Sequence, residues 1–153
     1  MQYLKIIVVL CFAACVSGAL AQTKEKTAQY NALGAAGARA VRDALNDPDS
    51  FRVTAAWIQE ADVPEWKDPT AVWVCFTGRT KNKVGGYIKI LAEAVGYPDK
   101  GTAVNGGSVG ADGDTADDRR YSMMIYDSCN THRRFADVTD AAKSALKADL
   151  DKQ

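Results

Sequence analysis

Few side chains in this chain are of a kind that does chemistry, and they fall in three short stretches. "DSCNTHRR" holds the only histidine, His132, three residues after Cys129. A cysteine nucleophile needs a basic neighbour to lower its thiol pKa, and His132 is near enough in sequence to serve. A disulfide would consume that thiol. Zinc would need three or four ligands, and no second Cys/His pair stands at ligand spacing. Ser122 or Ser128 with His132 and Asp127 is the dispersed set from which a hydrolase could be assembled. No paired acid and base is evident, so the reading is no catalytic, cofactor-binding or metal residues.

The second stretch is "TKNKVGGY", residues 80–87. A phosphate-gripping loop needs glycines that let several backbone N–H groups converge, normally at a helix N-terminus. Here the flanks read as strands, and no Ser or Thr follows a lysine as in a P-loop. A hairpin is predicted instead. Asn82, Gly85 and Gly86 supply backbone angles that other residues reach at a cost, and Lys81 and Lys83 form a solvated tip next to Tyr87.

The third is "NGGSVGADGDTADD", residues 105–118. Its aspartates could suggest calcium, but only Asp112 and Asp114 fit the ligand order of an EF-hand, and Ala116 and Asp117 do not. Residues 98–119 lack periodicity and read as one long loop. Trp57 and Trp73 are expected in packing, and Trp66, between two prolines, is the candidate for an exposed aromatic contact. Arg119, Arg120, Arg133 and Arg134 read as solvated pairs.

The amino-terminal residues bear on the compartment. Lys5 precedes an apolar run over residues 6–16, and "ALA" at 19–21 leads into a polar stretch. That order describes a secretory signal peptide, residues 1–21, followed by a single domain over residues 22–153. The run is shorter than the ~20 residues of a spanning helix. "FAAC" at residues 12–15 loosely resembles a bacterial lipoprotein cleavage box, so a lipid anchor through Cys15 is the alternative. Removing Lys5 from 19 basic and 19 acidic residues leaves one acid in excess. That sum gives no electrostatic reason to expect nucleic acid or an acidic membrane. Cys11 and Cys15 leave with the signal. Cys75 and Cys129 remain, and in an oxidising compartment their default reading is a disulfide.

The elements that must position these residues follow from periodicity. Tyr30, Leu33, Gly34, Gly37, Ala38, Val41 and Leu45 recur at helical steps, a stripe of small residues suited to close packing. Pro48 ends that helix. "FRVTAAW" alternates, placing Phe51, Val53, Ala55 and Trp57 on one strand face. "AVWVCFT" is apolar on both faces, as a central, doubly covered strand requires. "YIKILA" follows the glycine pair, and "YSMMIY" reads as a fourth strand. A last helix turns Val138, Ala142, Ala145, Leu146 and Leu150 inward, with Asp137 or Thr139 as cap. The fold class is α+β, an antiparallel sheet of about four strands packed by an N-terminal and a C-terminal helix.

"NDPDSF", then Val74-Cys75, then "KNKVGGY" resembles a group of small exported bacterial proteins that share D-P-x-S-F, V-C and K-N-x-x-G-G-Y. The residues that carry the likeness are Asp47, Pro48, Ser50 and Phe51, then Val74 and Cys75, then Lys81, Asn82, Gly85, Gly86 and Tyr87. The resemblance covers about a third of residues 22–153. It implies an envelope or secreted location and brings no activity with it. The expected function is a non-enzymatic envelope or binding protein with an unidentified protein or small-molecule ligand. The alternatives are the dispersed hydrolase, or an inhibitor of a foreign enzyme that presents the Lys81–Gly86 tip or the glycine loop of residues 105–118.

Overall fold

The stripe of small residues lies on α1, Gln2–Asp43, in a computed structural model that describes residues 2–61, 70–101, 103–111, 125, 128–130 and 133–152. Two glycines of this stripe have steric reasons to be there. A Cβ on Gly34 would stand 2.6 Å from Cβ of Val138, and one on Gly37 would meet Phe76 at 3.0 Å. The helix can therefore lie almost directly on the chain beneath it. The Pro48–Ser50 3-10 turn follows, where the proline was expected to stop the helix.

Five strands succeed it: β1 Arg52–Glu60, β2 Val72–Lys81, β3 Tyr87–Tyr97, β4 Ala103–Ala111 and β5 Arg134–Asp137. They form one antiparallel sheet in the order β4-β3-β2-β1-β5, and α2, Thr139–Leu150, closes the chain. The α+β fold with a helix from each end of the chain on an antiparallel sheet is as read from the sequence. Among the described residues, no helix is long and apolar enough to cross a membrane.

Two strand assignments change. Residues 103–111, inside the predicted loop, pair with β3 from Ile90 to Tyr97. Their glycines hid a strand that runs under α1: a Cβ on Gly107 would come within 2.6 Å of the Ala40 carbonyl oxygen. The predicted fourth strand at residues 121–126 is overturned at Ile125, which is helical, as are residues 128–130. Alternating apolar side chains cannot distinguish a short strand from a short buried helix. The rest of that run lies outside the described residues. The short edge strand β5 was not foreseen.

Both faces of the sheet are covered, as the composition of β2 required. Val72, Val74 and Phe76 point to the helix side with Ile58, Ala92, Leu33, Val41, Val138 and Leu146. Trp73 and Cys75 point the other way with Trp57, Val95, Ile125 and Cys129. The common face predicted for Phe51, Val53, Ala55 and Trp57 is broken. A bulge between Val53 and Ala55 shifts the alternation, so Phe51 and Val53 join the helix side and Trp57 the opposite side.

Within α2, Ala142, Ala145 and Leu146 are buried as expected, but Leu150 in the last turn is 38% exposed. Asp137 Oδ1 accepts the Thr139 N–H at 2.9 Å, so the aspartate serves the first turn. The Thr139 hydroxyl instead pairs with the Ala56 backbone, accepting its N–H at 2.9 Å and donating to its carbonyl. Asp149 ties the two helices together, 2.8 Å from Arg39 and 2.9 Å from Arg42. The hydrogen bond from Arg39 holds its carboxyl below the usual range.

Candidate functional site

The five hairpin residues singled out from the sequence are assembled in one tip. Asn82 organises it. Its backbone N–H donates to the Gly86 carbonyl at 2.9 Å and its carbonyl accepts from Gly85 at 3.0 Å. Its side-chain oxygen accepts the N–H groups of Val84 and Gly86 at 3.2 and 2.9 Å. Gly85 takes φ +86°, a left-handed conformation that costs a residue with a Cβ about 1–2 kcal/mol. The backbone N–H groups of Val84, Gly85 and Gly86 are thus spent inside the turn and do not converge on an outside anion. This is a hairpin tip.

The tip projects. Among the described residues, the β1 pairing stops at Arg79 and the β4 pairing at Ile90, and the turn between them extends past both. Val84 at the apex is 89% exposed and Tyr87 54%. Lys81 Nζ lies 5.7 Å from the centre of the Tyr87 ring. At the base, Ser50 serves as a brace. Its hydroxyl donates to the Asp47 carbonyl at 2.7 Å, accepts the Lys81 N–H at 2.8 Å and lies 2.9 Å from the Thr80 hydroxyl. The D-P-x-S-F segment and the K-N-x-x-G-G-Y segment are therefore one structural unit: the first anchors the second. Nothing in their 30-residue separation disclosed that.

On the face away from the helices lies the staple. Cys75 and Cys129 are joined as a disulfide with Cα atoms 5.8 Å apart, and both are fully buried. Trp57, Cys75 and Glu93 sit directly across from one another on β1, β2 and β3, so they share this face. Glu93 is a residue the sequence reading missed. Burial pushes its carboxyl up to about 7, opposed by a hydrogen bond with the Ser128 side chain. Its Oε2 is out of reach of solvent and has no hydrogen-bond partner among the described residues. One further polar residue is buried beside it. Gln59 accepts from the Trp57 indole N–H at 3.0 Å and donates to the Ser128 carbonyl. Glu93 was legible only as one charge in an otherwise apolar strand, "YIKILAEAVGY".

The remaining sequence candidates separate. Trp57 and Trp73 are core residues, and Arg134 is exposed, as read, with its guanidinium 4.0 Å over the Trp57 ring. Ser122, Asp127, His132, Trp66, Arg119, Arg120 and the acids Asp112, Asp114 and Asp117 lie outside the described residues. Ser128, the one described member of the dispersed hydrolase set, has its side chain bonded to Glu93. Among the described residues no three His, Cys, Asp or Glu are grouped to hold a metal. An open groove between α1 and β5 is lined by Thr23, Lys26, Tyr30, Asn31, Phe135 and Asp137 among others.

The geometry thus offers a braced, projecting hairpin on one side and a stapled, partly polar layer on the other. No protein family, curated protein or solved structure gives a match to this chain.

Proposed function

We propose that this is an exported, non-enzymatic binding domain of the cell envelope or its surroundings, and that the hairpin tip is its contact surface. The observation that carries the reading is Val84, a β-branched apolar residue held at the apex of a rigid turn, 89% exposed. An apolar side chain on a tip contributes nothing to the fold that a polar one would not. The turn around it is over-determined by Asn82, Gly85 and the Ser50 brace, so the residue is presented at little further cost in ordering on binding. The signal-like leader and a disulfide, which persists in oxidising compartments, support export.

The test is retention on the host's own envelope fraction. The parent should sediment with it, and a Lys81→Ala/Lys83→Ala/Val84→Asp variant with an unchanged melting curve should not. Equal retention of the two would remove the hairpin from the function. Turnover of an ester or peptide that disappears in His132→Ala would replace the binding reading with a hydrolase.

A further inference from the structure

Resting on the hairpin as contact surface, we propose that its tip docks on the surface of an anionic lipid bilayer. From Thr77 to Ala92 the chain carries Arg79, Lys81, Lys83 and Lys89 and no acid. The near-zero charge of the whole chain conceals this local excess. Lys83 stands in the turn itself, and Lys81 and Lys89 lie at its base on β2 and β3, with Lys89 opposite Arg79, so the cations are gathered at one end of the hairpin. Among the described residues the salt bridges lie on the two terminal helices and beside them, and none engages these lysines.

Three features favour a bilayer over an acidic protein. The tip is convex and a few residues wide, whereas a stable protein interface takes roughly 800 Å² from each partner. The charges are mostly lysine, a flexible and strongly hydrated point charge suited to a diffuse anionic plane, not arginine with its fork for a fixed carboxylate. The vertical order also fits. Val84 leads, with Lys83, Lys81 and the Tyr87 ring behind it. An aliphatic apex can enter the acyl boundary while the ammonium groups and an aromatic ring rest at the headgroups. One valine makes only a shallow anchor, so the lysines must carry most of the attraction, at about fivefold in affinity for each one near an anionic leaflet.

The experiment is co-sedimentation of the protein, as its host delivers it, with vesicles of mixed phosphatidylglycerol and phosphatidylcholine or of phosphatidylcholine alone. Binding is expected on the anionic vesicles only, and is expected to fade as salt shortens the screening length. Lys81→Ala/Lys83→Ala/Lys89→Ala should lose about a hundredfold in affinity. Val84→Asp should weaken binding while the melting curve stays that of the parent. Equal binding to both vesicle types, or variants that bind like the parent, overturns the proposal. If the parent ignores vesicles but captures one acidic envelope protein in a tip-dependent way, the bilayer is wrong and the hairpin reading stands. If neither capture depends on the tip, both fall.

Discussion

The two faces of the sheet are built on different principles. On the helix face, rows such as Ile58–Val74–Ala94 and Ala56–Phe76–Ala92 cross β1, β2 and β3 without a polar atom in their side chains. Two long elements bury them, with Gly34 and Gly37 allowing close approach. On the opposite face the rows Gln59–Trp73–Val95 and Trp57–Cys75–Glu93 mix indoles, an amide, a carboxyl and a cysteine. Among the described residues they are met by Ile125, Ser128 and Cys129, the last covalently joined to Cys75, and by Arg134 over the Trp57 ring. Where shape and apolar area suffice, packing holds the layer. Where polar groups interrupt it, a disulfide and side-chain hydrogen bonds are added to the packing of the described residues.

The sharpest way to break that contrast is to remove the bond. Cys75→Ala/Cys129→Ala should cost about 2–5 kcal/mol, measured by denaturant unfolding, because the cross-link no longer restricts the unfolded chain over a sequence separation of 54. Thiol titration of the native parent should find neither cysteine reactive. A double variant as stable as the parent would mean that packing alone holds both faces.

The helix face should fail differently. Gly34→Val places side-chain atoms where Val138 already stands, and should cost about 1–3 kcal/mol through overpacking. A Gly34→Val protein with the parent's stability would show that α1 is not seated against the Val138 segment.

Ser50 belongs to neither layer. Ser50→Ala removes the acceptor of the Lys81 N–H and leaves that group partly buried without its bond, for about 1–3 kcal/mol. Faster hydrogen exchange at Lys81 would report it; unchanged exchange would dissociate the brace from the hairpin.

The smallest effect is in pH. The folded Glu93 holds its proton up to about 7, whereas the unfolded side chain releases it near the ordinary value. Between those values the native state binds more protons, so this group's contribution is complete at the acid end and is lost as pH rises through about 7. Glu93→Gln should flatten that part of the stability profile and raise the melting temperature at pH 8 relative to the parent. An unaltered slope would place the titration elsewhere.

Much of this molecule follows from local pattern. Pro48 keeps the chain from resuming the helix after Asp43, because it disfavours a helical Asp47 and has no N–H to donate, and it opens the 3-10 turn instead. The two-sided apolarity of β2 placed it at the centre of the sheet, the third strand of five. Asn82, Gly85 and Gly86 specified their turn through backbone angles and one side-chain oxygen, effects that act over a few residues. Of the four cysteines, Cys75 and Cys129 could be paired by counting only by reading Cys11 and Cys15 as part of a signal peptide.

Other features had no local signal. β4 looked like a loop because its glycines exist for contact with Ala40, which is remote in sequence. Ile125 alternates like a strand yet is helical, since burial from one side satisfies either geometry. The bulge at Val53 and Ala55 reversed which residues of β1 share a face, and alternation alone carries no mark of an inserted residue. Ser50 reaches Lys81, and Glu93 reaches Ser128, only after the sheet has formed. Periodicity and turn chemistry are properties of neighbours along the chain. Close approach, shared burial and the proton affinity of a carboxyl are properties of neighbours in space, and those the tertiary structure alone decided.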